Sequence, residues 1–157
     1  MTFAVPRSVI AIPVHRRQRN AALSGPISGG DQAANVQAFR DAAAVLMREL
    51  QPTGRGMAWA GVHSPVDLPG TQEAAAESRA MIAAGLDYTT GPLYRRIYRL
   101  CMQQVLIADV VFMLPGWERA HGALGEYWLA TRSGIPTLSW DEDPTRRLPV
   151  ERHVQLV

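Results

Sequence analysis

The stretch that most limits how this chain can fold is Ala108-Asp-Val-Val-Phe-Met-Leu-Pro-Gly-Trp-Glu-Arg-Ala-His-Gly-Ala-Leu-Gly-Glu126. A short, β-branched apolar run stops at Pro115-Gly116, a loop follows, and small residues then lead into a helix that carries one acid. A run this short between turn signals fits a buried strand. Strands of that kind build open α/β sheets, and those sheets bind ligands beyond the carboxyl ends of their strands. Glu126 therefore falls where a carboxylate can face a ligand.

The rest of the chain keeps the same alternation. Asn20–Leu23 reads as a strand running into the turn Ser24-Gly-Pro-Ile-Ser-Gly-Gly30. Asp31 can cap a helix with Val36, Phe39, Ala43 and Leu46 on one face, ending near Leu50. Met57–Val62 is the second strand, with His63 at its carboxyl end, and Thr71 opens an Ala-rich helix that Gly85 closes. Residues 86–91 read as loop. Pro92 starts a helix with a stripe of Leu93, Ile97, Leu100, Gln104 and Ile107. Val110–Leu114 is a strand, a helix runs from Ala120 or His121 to about Arg132, Pro136–Trp140 is a strand, and His153–Val157 is a last edge strand. Strand–helix alternation predicts a mainly parallel sheet of about five strands with helices on both faces. Residues 1–19 are expected to form an extra strand or arm, and residues 20–157 one domain. The turn from Ser24 to Gly30 and the loop from Pro115 to Gly122 should meet at the crevice of the sheet.

Composition removes several kinds of chemistry. All 16 cationic side chains other than histidine are arginines. Without lysine there is no Schiff-base chemistry and no standard P-loop. The single cysteine, Cys101, excludes an intrachain disulfide and a multi-cysteine zinc site, and the four histidines lack metal-ligand spacing. No metal and no cofactor are expected. No apolar run approaches the roughly 18 residues of a membrane span, and the apolar start is followed by arginines rather than a cleavage site. A cytoplasmic protein with no membrane partner is expected. Net charge is +2 with dispersed arginines, which argues against a nucleic-acid polymer and for a small anionic ligand.

Candidate ligand contacts gather on the two loops. Ser24, Gly25, Pro26, Ile27, Ser28 and Gly29 can bring backbone amides and hydroxyls to a ligand, or form a plain strand-to-helix turn. Gly116 belongs to the second loop, and the small residues Gly122, Ala123 and Gly125 would leave open space above Glu126. A carboxylate there can attack an electron-poor carbon or act as a general base. It can equally be a helix-start acid favoured by the macrodipole. Trp117 can stack on a base or pack the loop down, and His121 can bind phosphate, give a proton or do neither. Asp109, just ahead of its strand, reads as structural.

Ala22-Leu-Ser-Gly-Pro-Ile-Ser-Gly29, Ala108-Asp109, Pro115-Gly-Trp-Glu118, Gly122-Ala123 and Glu126 together resemble the nucleoside 2-deoxyribosyltransferase-like superfamily, in its DUF4406-like branch, over about residues 20–140. The resemblance implies a flavodoxin-like or Rossmann-like three-layer sandwich. It also implies a nucleoside or nucleoside monophosphate as ligand, and a dimer or larger homo-oligomer. It assigns Glu126 as the nucleophile on the sugar's anomeric carbon and brings Cys101 to the substrate site, where His63, at the carboxyl end of the second strand, is also expected. Two positions depart from the pattern. A tyrosine that orients the nucleophile is replaced by Ala22, and an aspartate that handles the departing base is replaced by Cys101.

The expected activity is cleavage or transfer of an N-glycosidic bond. The alternative is a nucleotide-binding or sensing module with little turnover, an accessory protein of phage or bacteria. A likeness to lysine-decarboxylase-like phosphoribohydrolases ranks third, because Pro115-Gly116 is followed by Trp117-Glu118 and not by their second glycine.

Overall fold

The computed structural model describes residues 18–48, 58–140 and 149–150. Its elements are β1 (Gln18–Ser24), α1 (Gln32–Arg48), β2 (Ala58–His63), α2 (Thr71–Ala83), α3 (Pro92–Ile107), β3 (Val110–Met113), α4 (His121–Arg132), β4 (Thr137–Trp140) and β5 (Pro149–Val150). The sheet order is β2-β1-β3-β4-β5. The first four strands are mutually parallel. Only the two-residue β5 runs antiparallel, against β4. The parallel sheet therefore has four strands rather than five. The edge strand expected at His153–Val157 lies outside the described residues, as does the expected arm but for its last two residues, which β1 takes.

Side-chain alternation sorts the strands into two buried faces. Ala21, Leu23, Val110, Phe112 and Leu138 meet Phe39, Ala42 and Leu46 of α1 on one side. Ala22, Val111 and Met113 meet Val105 of α3 and Ala123, Tyr127 and Ala130 of α4 on the other. This is the flavodoxin-like, Rossmann-like three-layer sandwich. Phe39 and Leu46 are almost wholly enclosed, so truncating either to alanine should cost about 3 kcal/mol.

The crossover from β2 to β3 holds two helices, and α2 packs mainly on α3. Its apolar seam is Ala74, Ile97 and Cys101. Glu77 fastens the pair: its Oε2 accepts the backbone N–H groups of Leu93 and Tyr94, each at 3.0 Å, at the start of α3. A Cβ at Gly91 would lie 2.5 Å from that oxygen. The buried stripe of α3 is Ile97, Cys101 and Val105. That differs from the expected stripe, for Leu93 and Ile107 are exposed. The helix is turned so that its tyrosines face α4.

Strand order reverses between β1 and β3, the switch point at which such sheets bind ligands. The two loops leave the sheet there. Leu114 N–H donates to Ser24 O at 2.7 Å, and Gly25 permits this approach, because a Cβ would stand 2.9 Å from Leu114 Cβ. Gly116 turns the second loop with φ +83°, a conformation that side chains resist.

Candidate functional site

Glu126 lies in the second turn of α4 and is 5% exposed. That is deeper than the helix-start acid considered from sequence. Its surroundings work against the charge. Burial pushes the Glu126 carboxyl up to about 7, and hydrogen bonds from Ser24 and Cys101 offset part of that rise. The Ser24 hydroxyl, fully buried at the end of β1, donates to Glu126 Oε2. The Cys101 thiol donates from α3 and is itself pushed up, first by burial and then by the Glu126 charge. So three elements converge on one carboxyl group.

The carboxyl opens on a cavity of about 480 Å³ at the β1/β3 switch point, a volume suited to a small ligand. Its walls come from four places. The β1–α1 loop gives Gly25, Pro26, Ile27, Ser28 and Gly29. Helix α2 gives Thr71, Ala74, Ala75, Ser78 and Ile82. Helix α3 and the turn before it give Tyr88, Tyr94, Tyr98 and Cys101. The β3–α4 segment gives Gly116, Arg119, His121, Gly122, Ala123 and Glu126. Glu126 is the one carboxylate on these walls among the described residues.

Three residues singled out from sequence stand elsewhere. Ser24 is behind the cavity wall and reaches it only through Glu126. His63 is not on the wall. Its ring lies back over Gly61, 3.3 Å from where a Cβ would be and next to the Asn20 side chain. It thus points toward the amino ends of the strands. Trp117 is 7% exposed and packs on Tyr127, ring centroids 4.7 Å apart. Of its two readings, packing the loop down is the one observed, since the indole joins the Met113–Ala130 core.

The small residues before Glu126 also act differently from expectation. Gly125 receives the Tyr98 hydroxyl, which occupies the place of a Cβ. Gly122, though on the wall, sits under Tyr94, whose oxygen is 3.8 Å from the corresponding position. These glycines seat α3 tyrosines against α4 as much as they leave room for a ligand. The start of α1 is also less open to an anion than the loop suggests. Asp31 Oδ1 accepts the Ala34 N–H at 3.1 Å, and Asn35 Nδ2 donates to Gly29 O at 2.5 Å. The helix is capped by the chain's own carboxylate.

The sequence reading missed Tyr88, Tyr94 and Tyr98. Tyr94 and Tyr98 stack at 5.8 Å with 15° between their planes, and Tyr88 meets Tyr94 edge-on at 5.2 Å. Burial chiefly raises all three phenols, so they stay protonated. The available signal was the spacing of Tyr94, Tyr98 and Cys101 along one face of α3. Tyr94 Oη is 3.1 Å from His121 Nδ1. No group of three His, Cys, Asp or Glu able to hold a metal occurs among the described residues. No helix among them is long and apolar enough to cross a membrane.

With this geometry in hand, the comparison with known families adds one finding. Residues 70–139 match the family described as a domain of unknown function (DUF4406). The matched span runs from the start of α2 into β4 and includes Cys101, His121 and Glu126, while the Ser24–Gly30 turn precedes it. The match supports the DUF4406 branch of the resemblance. Neither the curated proteins nor the solved structures include a significant match.

Proposed function

We propose that this chain cleaves or transfers the N-glycosidic bond of a nucleoside or nucleoside monophosphate, as a relative of the nucleoside 2-deoxyribosyltransferase-like superfamily. One observation carries the reading: a single buried carboxyl, Glu126, opens on a small-molecule-sized cavity at the sheet's switch point. In its ionised form the carboxylate attacks C1′ of the sugar, where positive charge develops as the base departs. Ser24 holds the carboxyl by one oxygen, the orienting task that the resemblance gives to a tyrosine where Ala22 stands. Ala22 itself is buried in the sheet. The glycosyl ester formed on Glu126 is then opened by water, or by a second base in a transfer reaction.

The cavity wall suits a nucleoside. Tyr88 and Tyr94 offer ring faces and edges for an aromatic base. Arg119 and the Ser28 hydroxyl can meet a phosphate or sugar. Ile82 on the cavity wall is exposed, as are Leu86 and Leu93 elsewhere on the surface, in keeping with a homodimer or larger assembly, which light scattering would test. Free nucleotides as substrate agree with a cytoplasmic setting.

The test is chromatographic. A panel of deoxyribo- and ribonucleosides and their 5′-monophosphates is incubated with the protein, with and without a second free base. Released or exchanged base is the expected product. Release that is unchanged in Glu126→Gln would sink the assignment.

A second reading, a nucleotide-binding or sensing module, is favoured by the loss of the tyrosine at Ala22 and by the high-lying Cys101 thiol in place of an aspartate. Calorimetric binding of a nucleotide with no base released in the parallel assay would select it.

A further inference from the structure

We infer that His121 delivers the proton to the departing base, an assignment that rests on the glycosidic reading above. The need for a donor is chemical. When Glu126 bonds to C1′, the electron pair of the breaking C1′–N bond passes to the base. An unmodified base leaves readily only if a proton arrives with that charge. Glu126 cannot give it, since its oxygen is used in bonding to C1′, and no other carboxylate lines the cavity among the described residues. Cys101 keeps its proton, because burial and the Glu126 charge both raise its thiol. Arg119 presents a guanidinium to the cavity, which suits an anion contact. The imidazole of His121 is the group on the wall that can both give and take a proton.

Its geometry fits the task. His121 opens α4, and Glu126 follows on the same helix. They lie five positions apart, an axial rise of about 7.5 Å, and both side chains line the same cavity, where a sugar carbon and its base can lie between them. Nδ1 is engaged by the Tyr94 hydroxyl at 3.1 Å, which leaves Nε2 as the nitrogen free to meet a ligand. Tyr94 is in turn held by its stack on Tyr98 and by Tyr88, whose ring is edge-on both to Tyr94 and to His121, the latter at 6.3 Å. The Asp87 carboxyl is held low first by the Thr89 side chain and backbone and, more weakly, by the His121 charge.

The step balances in protons and electrons. The imidazolium donates Nδ1–H to Tyr94 Oη and transfers its Nε2 proton to the base as C1′–N breaks and C1′–O forms on Glu126. The neutral ring keeps Nδ1–H on Tyr94. Its bare Nε2 then takes a proton from the water that attacks C1′, releasing the Glu126 carboxylate and restoring the imidazolium.

The test varies the leaving group. Unmodified deoxynucleosides need a proton on the base, whereas N7-methylated guanine nucleosides expel a base that already carries positive charge. His121→Asn should lower the single-turnover rate of base release from the unmodified substrates by about a hundredfold. It should change that first-step rate on the methylated ones by less than roughly threefold, because His121 meets the attacking water only after the base has left. Tyr94→Phe, the positioning residue, should show the same selectivity at about tenfold, with KM unchanged. Equal losses on both substrate classes, or no loss on either, would overturn the assignment to His121 while leaving Glu126 as nucleophile. If Glu126→Gln retains activity on the methylated substrates, or the wild-type protein cleaves neither class, the glycosidic reading falls and this inference with it. His121 is exposed, and Tyr94→Phe keeps the ring stack, so at least one variant reports on folded protein.

Discussion

Two carboxylates bracket strand β3, and they do opposite things. Asp109, at its amino end, trades hydrogen bonds with the backbone of Asn20: Oδ2 accepts the Asn20 N–H and Asp109 N–H donates to Asn20 O, both at 2.8 Å. Glu126, beyond its carboxyl end, meets no backbone amide among the described residues and is held by a hydroxyl and a thiol from two other elements. Backbone amides fix an acid in place as part of the sheet. Side-chain donors around a hollow leave an acid able to change bonding partners. The difference between structural and chemical acid is thus set by which edge of the sheet each one occupies, and variants at the two positions should separate cleanly.

The largest separation is in rate. Glu126→Gln should lower base release by at least about a thousandfold, read by single-turnover chromatography, while Asp109→Ala should leave kcat within roughly twofold. The wild-type pH profile sharpens the contrast. If Glu126 is the nucleophile proposed above, then on N7-methylated guanine nucleosides, where no proton is needed on the base, kcat/KM should climb tenfold per pH unit below about 7 and level off above it, because attack requires the ionised form. A flat profile from pH 5 to 8 would contradict the nucleophilic role.

Stability should move the other way. Burial raises the folded-state carboxyl of Glu126 from 4.5 to about 7. Between those values the unfolded chain has lost the proton that the folded chain still holds, so stability falls as pH rises through that window and is level above it. Glu126→Gln removes the penalty. At pH 8 the variant should be more stable than wild type by on the order of 3 kcal/mol, with the gain gone below pH 4.5. Denaturant melts at pH 4 and 8 measure it, and an equal difference at both would show that the carboxyl is not raised.

Ser24→Ala probes what holds Glu126. The lost hydroxyl is one of two hydrogen bonds that pull the carboxyl back down against burial, so the rising limb of the pH profile should move to higher pH. Rate on the plateau should fall by about tenfold to a hundredfold through misplacement of the nucleophile. A lower rate with an unmoved limb would assign Ser24 to packing alone.

Much of this was legible in the residues. The alternation of turn signals and apolar runs placed the parallel strands and all four helices, and it put both loops at the crevice. The edge that Glu126 occupies followed from the strand ahead of it. What the residues did not yield is what depends on how helices face one another. Trp117 and His63 are aromatic or polar groups near the right edge, yet their rings turn into the core and back along the strand. Sequence position sets a Cα, not the direction of a side chain. The tyrosines of α3 were hidden by a stripe drawn through Leu93 and Ile107, which solvent takes instead. Gly122 and Gly125 read as empty space, and only the packing of α3 shows whose hydroxyls they receive.

The smallest expected effect is on the other side of the comparison. Asp109→Ala strips the acceptor from the Asn20 N–H at the amino edge of the sheet. That group is partly buried, and an orphaned amide costs about 1–2 kcal/mol. Asp109→Asn keeps a carbonyl oxygen in the same place, so it should recover most of the loss. If both variants melt like wild type, the reciprocal Asn20–Asp109 bonds contribute nothing to the sheet. If Asp109→Ala instead abolishes base release in folded protein, position along the strand does not separate the two acids after all.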